Sequence, residues 1–303
     1  METNVLNRLS AELPIIPPLV SVELLKTRKR VVTWICFGIV VAFLAFMFIG
    51  VRVLIKSTAG ADSPEFMQMD AAMRFPTGFG FLQIMEAQSA LYLVIVLVSL
   101  LVGSEYGWGT LRLALARGPS RTQFMLAKLI AAMLTIVIGT AAFLIVGAAL
   151  MILGDLTIGA FDPVFPDRFW LDLFLDWLRT TAVLMIYVAI AFAAASLLRS
   201  GGAGIGVGLA FVVVEQIVAN LFIGFGDTLG KVAQYFPTRL TESVLFSSRL
   251  TVWIDVEGGQ PPPGGTWLDP WPAAGLLTLY FVVLIGGAIW VFNKRDLTSG
   301  SGN

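Results

Sequence analysis

Six apolar runs, each long enough to cross a lipid bilayer, constrain this chain more than any other feature. A transmembrane helix needs about 20 predominantly apolar residues. The runs cover residues 31–51, 85–102, 129–153, 180–198, 201–225 and 273–292. Only 13% of the residues are charged, whereas soluble domains are about one quarter charged. The sequence therefore predicts an all-α integral membrane protein with six transmembrane helices.

The distribution of basic residues predicts how these spans are oriented. Cytoplasmic loops of membrane proteins carry an excess of lysine and arginine close to the spans. One set of loops holds Arg8, Lys26, Arg28, Lys29, Arg30, Arg112, Arg117, Arg121, Lys128, Arg199, Lys294 and Arg295. We therefore expect both termini in the cytoplasm, and a single multi-pass domain, residues 1–303, in the plasma membrane.

The segments outside the runs allow three further predictions. Residues 1–30 end in a basic cluster, which favours an interfacial helix on the cytoplasmic leaflet, with a disordered tail as the alternative. Residues 52–84 and 226–271 are predicted to be external loops, the first between spans one and two and the second between spans five and six.

Several classes of chemistry are excluded or disfavoured by composition. The chain contains no histidine, which excludes histidine-based acid–base catalysis and histidine metal sites. No P-loop sequence is present, so we expect no ATP site on this chain. Asp172 and Asp176 lie at helical spacing but are interpreted as a solvated face. With a net charge of zero, no nucleic-acid partner is expected, and no metal or catalytic residue is predicted.

The fifth run carries the most informative polar residue inside a span. Small residues four positions apart let two helices approach closely in lipid, and an ionisable residue inside a span usually faces protein or water. A glycine stripe continues by helical steps to Glu215, which is interpreted either as a path-lining group or as a carboxyl that holds helices together. The candidate path or dimer-interface residues are Glu215, Gly204, Gly208, Phe211, Ala219, Asn220 and Glu86.

The connection between the second and third runs, residues 104–128, predicts a helix, a turn and a new helix start. Ser104 is a candidate N-cap with Glu105 in the first turn, where a negative charge suits the helix dipole. Gly118 and Pro119 predict the end of this helix, and Ser120 with Gln123 predicts a capping box. The apolar face of the helix, which spans residues 104–118, consists of Trp108, Leu111 and Leu115.

This connection resembles the segment between spans two and three of ABC-2 type transporter permeases. The likeness rests on the pattern E-Y-x-W-G-T-L-R-x-x-L-x-R-G-x-S-R-x-x-x-x-x-A-K, and the matching positions are Glu105, Gly109, Thr110, Arg112, Arg117, Ser120, Arg121 and Lys128. Six spans, cytoplasmic termini, an amphipathic lead-in and a long loop between spans five and six are also similar to that family.

The resemblance implies an exporter subunit that pairs with a second permease subunit, the same or a related chain, and with two cytoplasmic ATPases. ATP and magnesium would be bound by the ATPases. The helix after span two would be a coupling helix seated in the ATPase, and spans two and five would flank the path. The implied coupling residues are Glu105, Trp108, Gly109, Thr110, Leu111, Arg112, Leu115, Arg117 and Arg121.

Three other functions remain open at the level of sequence. A secondary transporter or channel would use Glu215 as a proton or cation site and need no ATPase. A noncatalytic membrane scaffold would organise a complex without turning over ATP. A membrane-embedded hydrolase is disfavoured, since the chain has no histidine and no carboxylate constellation in a span.

Overall fold

The computed structural model describes residues 16–59, 63–107, 119–159, 161–248, 250 and 267–294. Every regular element in these ranges is a helix. In chain order they are α1 (Ile16–Lys29), α2 (Val31–Ala45), a π-helical segment (Phe46–Val51), α3 (Arg52–Ala59), α4 (Pro64–Met73), α5 (Phe79–Gly107), α6 (Arg121–Ile158), α7 (Phe169–Leu198), α8 (Gly201–Gly224), α9 (Asp227–Ala233), α10 (Pro237–Leu245) and α11 (Pro270–Lys294).

Within the described ranges, six helical stretches are long and apolar enough to cross a membrane, which confirms the predicted number of spans. The first is the continuous stretch from α2 into α3, and the others are α5, α6, α7, α8 and α11. Several extend beyond their predicted bounds. The 38 residues of α6 measure about 57 Å, well over a hydrocarbon core of about 30 Å. The chain is a multi-pass membrane protein, and α6 is longer than the hydrocarbon core requires.

Helix α7 is the centre of the bundle. Residues Leu184, Val188, Ala189 and Phe192 are fully buried, and α7 contacts α5, α6, α8, α10 and α11. An alanine-rich stretch, residues 189–195, forms the C-terminal part of its buried surface. Small side chains allow neighbouring backbones to come close, and in lipid this packing replaces the hydrophobic driving force that is available in water.

The connection after α5 corrects one prediction and confirms another. Ser104 does not cap a new helix, because the backbone ladder of α5 continues through Gly107 and the Ser104 hydroxyl accepts a hydrogen bond from Arg30 instead. The capping box of α6 is confirmed. Ser120 Oγ accepts from the Gln123 N–H at 3.2 Å, and the Ser120 N–H donates to Gln123 Oε1 at 2.8 Å. The remainder of the predicted coupling helix, residues 108–118, lies outside the described residues.

The N-terminal segment and the two long loops contain helices that pack on the bundle. Helix α1 buries Val20 against Ala127 and Ala131 of α6, so residues 16–29 are ordered helix rather than the alternative of a disordered tail. The predicted loop 226–271 contains α9 and α10. Helix α10 buries hydroxyl residues such as Thr241 and Ser243 among apolar ones. Because of these polar residues, the segment does not form an apolar run in the sequence, and the helix was not predicted.

Glycines bring α5, α7 and α8 into backbone contact. A Cβ atom added to Gly103 of α5 would lie 2.1 Å from the Gly201 nitrogen at the start of α8. A Cβ at Gly204 would lie 2.8 Å from the Ala195 Cβ of α7, and one at Gly208 would lie 2.7 Å from Ile95 Cγ2 of α5. Helix α8 is therefore held against both of its neighbours along its N-terminal half.

We predict that Gly103→Ala destabilises the protein, because the new methyl group forces the backbones of α5 and α8 apart. Overpacking of this kind costs about 1–3 kcal/mol, which should lower the thermal unfolding midpoint in detergent. Gly202→Ala is the matched control, since a Cβ there has no neighbour within 4 Å. Equal midpoints for the two variants would contradict the close approach of α5 and α8.

Candidate functional site

A cluster of four charged side chains joins the end of α5, the start of α6 and the N-terminal helix α1. We call Glu23, Lys26, Glu105 and Lys128 the ionic cluster. Lys128 Nζ lies 2.8 Å from Glu23 Oε2 and 3.1 Å from Glu105 Oε1. Lys26 Nζ lies 2.5 Å from Glu23 Oε1 and 2.8 Å from Glu105 Oε1. Each ammonium group therefore bridges the same two carboxylates, and the charges of the cluster balance.

Burial makes this ionic cluster different from ordinary surface ion pairs. The side chains of Glu23, Glu105 and Lys128 are 6%, 5% and 2% exposed, whereas that of Lys26 is 42% exposed. Burial raises the pKa of Glu23, but the charges and hydrogen bonds of Lys128 and Lys26 outweigh this effect and bring it below its usual value. For Lys26, burial lowers the pKa, and the hydrogen bonds to Glu105 and Glu23 raise it overall.

Additional contacts attach α1 to the same end of α5. Arg30 Nη1 donates to the Leu100 carbonyl at 2.7 Å, and Arg30 Nη2 donates to Ser104 Oγ at 2.7 Å. Lys128 Nζ also donates to the Leu101 carbonyl at 3.3 Å. Leu100 and Leu101 lie about two turns before the C-terminus of α5, and a carbonyl oxygen that already accepts within the helix can accept a second hydrogen bond. Arg30, which directly follows α1, and Lys128 of α6 therefore stabilise the C-terminal part of α5.

Two residues of the ionic cluster flank the segment that the sequence predicts to be a coupling helix: Glu105 lies at its start, and Lys128 lies ten residues after its end. Of the predicted coupling residues, the structure describes Glu105 and Arg121. Arg121 Nη1 donates to the Asn293 carbonyl at 3.3 Å, so the start of α6 also contacts the end of α11. Outside the described residues lie Trp108, Gly109, Thr110, Leu111, Arg112, Leu115 and Arg117.

Glu215, the candidate path residue of α8, caps the N-terminus of α10. Its Oε1 accepts a hydrogen bond from the Thr238 N–H at 3.0 Å, and its Oε2 accepts from the Thr238 hydroxyl. A carboxylate at this position satisfies an otherwise unpaired N–H and interacts favourably with the helix dipole. The contacts correspond to the second of the two interpretations of Glu215, a carboxyl that holds helices together.

A small polar cavity of about 270 Å³ lies beside Glu215 between α5, α8 and α10. Arg239 spans one side, donating to Asn220 Oδ1 at 2.5 Å and to Glu242 Oε2 at 2.6 Å. The lining consists of Gln88, Gln216, Ala219, Asn220, Thr238, Arg239 and Glu242. Residues of spans two and five, which the resemblance predicts to flank the path, therefore line one polar cavity.

The remaining candidates are distributed over different surfaces. Gly204 and Gly208 are used in the contacts of α8 with α7 and α5 inside this chain. Phe211 is 44% exposed, and Val212 takes the place predicted for it on the buried face of α8. Glu86 does not line the polar cavity, although Gln88 does. Residues two positions apart on a helix differ by about 200° around its axis, so the side chains of Glu86 and Gln88 leave α5 on opposite faces.

A second buried charged cluster, which sequence reasoning missed, connects α3, α4 and α6. The Arg52 side chain is fully buried, and its Nε donates to Asp70 Oδ1 at 2.9 Å. Arg52 Nη2 donates to Asp155 Oδ1 at 2.7 Å, and Asp155 Oδ2 accepts from the Phe75 N–H at 2.9 Å. The sequence signal was an arginine directly after an apolar run, which by itself is typical of an ordinary boundary charge.

In the part of the chain that the structure describes, no group of three or more aspartate, glutamate, cysteine or histidine side chains is arranged to hold a metal ion.

Comparison of the sequence with protein families assigns the chain to one family. The model described as protein of unknown function (DUF2705) matches residues 39–298. The chain belongs to this family. No curated protein matches the chain. The match begins within α2 and covers the rest of the first span, the other five spans, both long loops and the 104–128 connection.

We predict that Lys128→Met lowers stability far more than Lys26→Met. Removing Lys128 leaves two buried carboxylates short of a partner, and breaking a buried pair costs about 3–5 kcal/mol. Lys26 contacts the same carboxylates but is partly exposed, so its loss should cost much less. Thermal unfolding of the two purified variants in one detergent measures the difference. Similar midpoints would contradict the larger contribution of the buried Lys128.

We predict that Glu215→Leu destabilises the protein by about 1–3 kcal/mol, because the Thr238 N–H and hydroxyl lose their acceptors in a buried place. Glu215→Gln should cost less, since the amide oxygen keeps one acceptor. The measurement is the unfolding midpoint of both variants. If the Glu215→Leu protein were as stable as the wild type, this result would contradict the capping role of Glu215.

Proposed function

We propose that this protein is the permease subunit of an ATP-binding cassette exporter. It works with two cytoplasmic ATPase subunits, which bind ATP and magnesium, and with a second permease subunit that is the same or a related chain. Both termini lie in the cytoplasm, and the 108–118 segment docks on the ATPase. The membrane is the plasma membrane, and the path runs along α5 and α8.

One observation carries this proposal. The 108–118 segment leaves α5 and enters α6 next to a buried ionic cluster in which Glu105 of α5 and Lys128 of α6 lie 3.1 Å apart. Glu23 of α1 contacts Lys128 at 2.8 Å. A movement of the segment would therefore be transmitted to α1, α5 and α6, which the ionic cluster joins. This arrangement suits a segment that moves together with a bound ATPase.

A movement of α5 would be passed on to the polar cavity. Helix α8 begins against α5, where Gly103 and Gly201 meet, and it contacts α5 again at Gly208 and Ile95. The cavity lies between these helices and α10. ATP-driven closure of the ATPases would thus shift α5 and α8 between two arrangements, and the partners' different affinity for the two arrangements would supply the driving force.

The hydrogen bonding of Glu215 favours this function over ion-coupled transport. Both oxygens of Glu215 are engaged by Thr238. A proton or cation site would have to release these hydrogen bonds in every cycle, and α10 would lose its N-terminal acceptor. An ATPase partner needs no such site in the membrane.

We predict that Trp108→Ala combined with Leu111→Ala abolishes co-purification of an ATPase subunit while the permease still inserts into the membrane. The two residues form the apolar face of the predicted coupling helix, and apolar anchors in a groove carry much of the energy of such interfaces. Affinity purification in mild detergent, followed by identification of the bound proteins, is the measurement.

The control is Trp271→Ala combined with Leu279→Ala in α11. These side chains are 88% and 57% exposed, and the pair removes the same two side-chain types from another surface. Undiminished ATPase binding by the first variant would contradict the docking site. Substrate flux in liposomes that contain this chain alone would contradict the need for an ATPase, and a purified complex without substrate-dependent ATP turnover would favour a scaffold.

A further inference from the structure

An apolar cavity of about 500 Å³ lies between α2, α5 and α6, on the opposite face of α5 from the polar cavity. Its wall includes Trp34, Phe37, Leu93, Leu97 and Ile138. Trp34 and Ile138 are 59% and 63% exposed, so the cavity opens sideways onto the surface that faces lipid. Its size is that of a small-molecule site.

One acidic side chain stands at the end of this apolar cavity. Glu86 lines it and is only 1% exposed. Neither of its carboxyl oxygens has a hydrogen-bond partner among the described residues. By contrast, Glu23, Asp70, Asp155 and Glu215 all accept hydrogen bonds. Glu86 is thus the exception among the buried acids in this protein's described spans and clusters.

An unpaired buried carboxyl is costly, and the identity of a compensating group follows from its chemistry. Burying a polar group without a partner costs several kcal/mol, and far more if the group is charged. An ammonium group would supply both a positive charge and N–H donors to the two free oxygens. The rest of the lining is mainly apolar, with several threonines and with Arg28 at the α1 end, and it favours a hydrocarbon tail attached to that head.

The dimensions of the cavity fix how such a molecule would lie. The lining of α5 runs from Glu86 to Leu97, which is about 16 Å along the helix. The lining then reaches Leu24 and Thr27 of α1. A head group at Glu86 would therefore place the tail along α5 and α6 and direct it towards α1. Gly139 of α6 leaves open space for the tail, because a Cβ there has no neighbour within 4 Å.

We propose that the cavity between α2, α5 and α6 binds a single-chain lipophilic amine, with its ammonium head against Glu86 and its tail along α5 and α6. The amine enters sideways from the lipid. This site does not depend on the transporter function proposed above, because it needs neither an ATPase nor the polar cavity.

The test is equilibrium binding of radiolabelled dodecylamine to the full-length chain in phosphatidylcholine nanodiscs, with empty nanodiscs to subtract partition into lipid. We expect one saturable site per chain. Unlabelled dodecanol has the same tail and a neutral head, and it should compete at least about tenfold more weakly, since a hydrogen bond to a charged group is worth about 1.5–3 kcal/mol.

Three variants separate head-group recognition from cavity filling. Glu86→Gln should weaken dodecylamine binding about tenfold or more while leaving the affinity for dodecanol unchanged. Gly139→Leu should weaken both ligands by occupying the space for the tail. Gly38→Leu is the matched control, because Gly38 is exposed, has no neighbour within 4 Å of a Cβ, and does not line the cavity. It should bind both ligands as the wild type does.

Two results on the wild-type protein would overturn the site. The first is the absence of a saturable component above that of empty nanodiscs. The second is equal affinity of the wild type for dodecylamine and dodecanol, which would leave an apolar crevice filled by any lipid chain. Both are measured on the wild-type protein, so they decide the matter even if Glu86→Gln does not fold. Unchanged amine binding by a folded Glu86→Gln variant would also overturn it.

Discussion

The contact of the buried Lys128 with Glu23 and Glu105 is the interaction on which one end of the bundle depends. Without it, the C-terminus of α5, the first turns of α6 and the inner face of α1 would present charges to an apolar interior. Two carboxylates and two ammonium groups in mutual contact remove most of that cost, because each ion has an opposite charge within hydrogen-bond distance. The same requirement fixes the positions of three helices, since moving any one of them separates charges in a low-dielectric environment.

The opposite end of α6 uses the same device with arginine in place of lysine. Arg52 lies between Asp70 and Asp155, fully buried, and fixes α3 and α4 against the far end of α6. Gly154 makes this possible, since a Cβ there would lie 2.4 Å from the Phe48 carbonyl and 3.0 Å from Arg52 Nη1. Helix α6 is thus anchored by a buried cation near each end, and its apolar middle is left to line the cavity that contains Glu86.

The sequence predicted the spans because apolar length is a local property. It predicted the capping box at Ser120 for the same reason, since Gln123 is three residues away. It did not predict the ionic cluster, because Glu23, Glu105 and Lys128 are separated by 23 to 105 residues of chain and each alone resembles a boundary charge. Helix α10 was missed because its buried face carries hydroxyl groups, which Glu215 and neighbouring helices make acceptable inside the protein.

Helix α5 separates two environments of opposite character, and this follows from its position in the bundle. On one face, Gln88 lines a small polar cavity together with residues of α8 and α10, which are hydrogen-bonded to one another. On the other face, Glu86 lines a mainly apolar cavity that opens towards lipid. The two residues differ by about 200° around one helix, so a rotation or tilt of α5 at the ionic cluster would move both cavities at once. If the 108–118 segment drives α5, a molecule bound at Glu86 and the polar cavity at Gln88 are coupled through the same rigid helix, and each would bias the other's favoured arrangement.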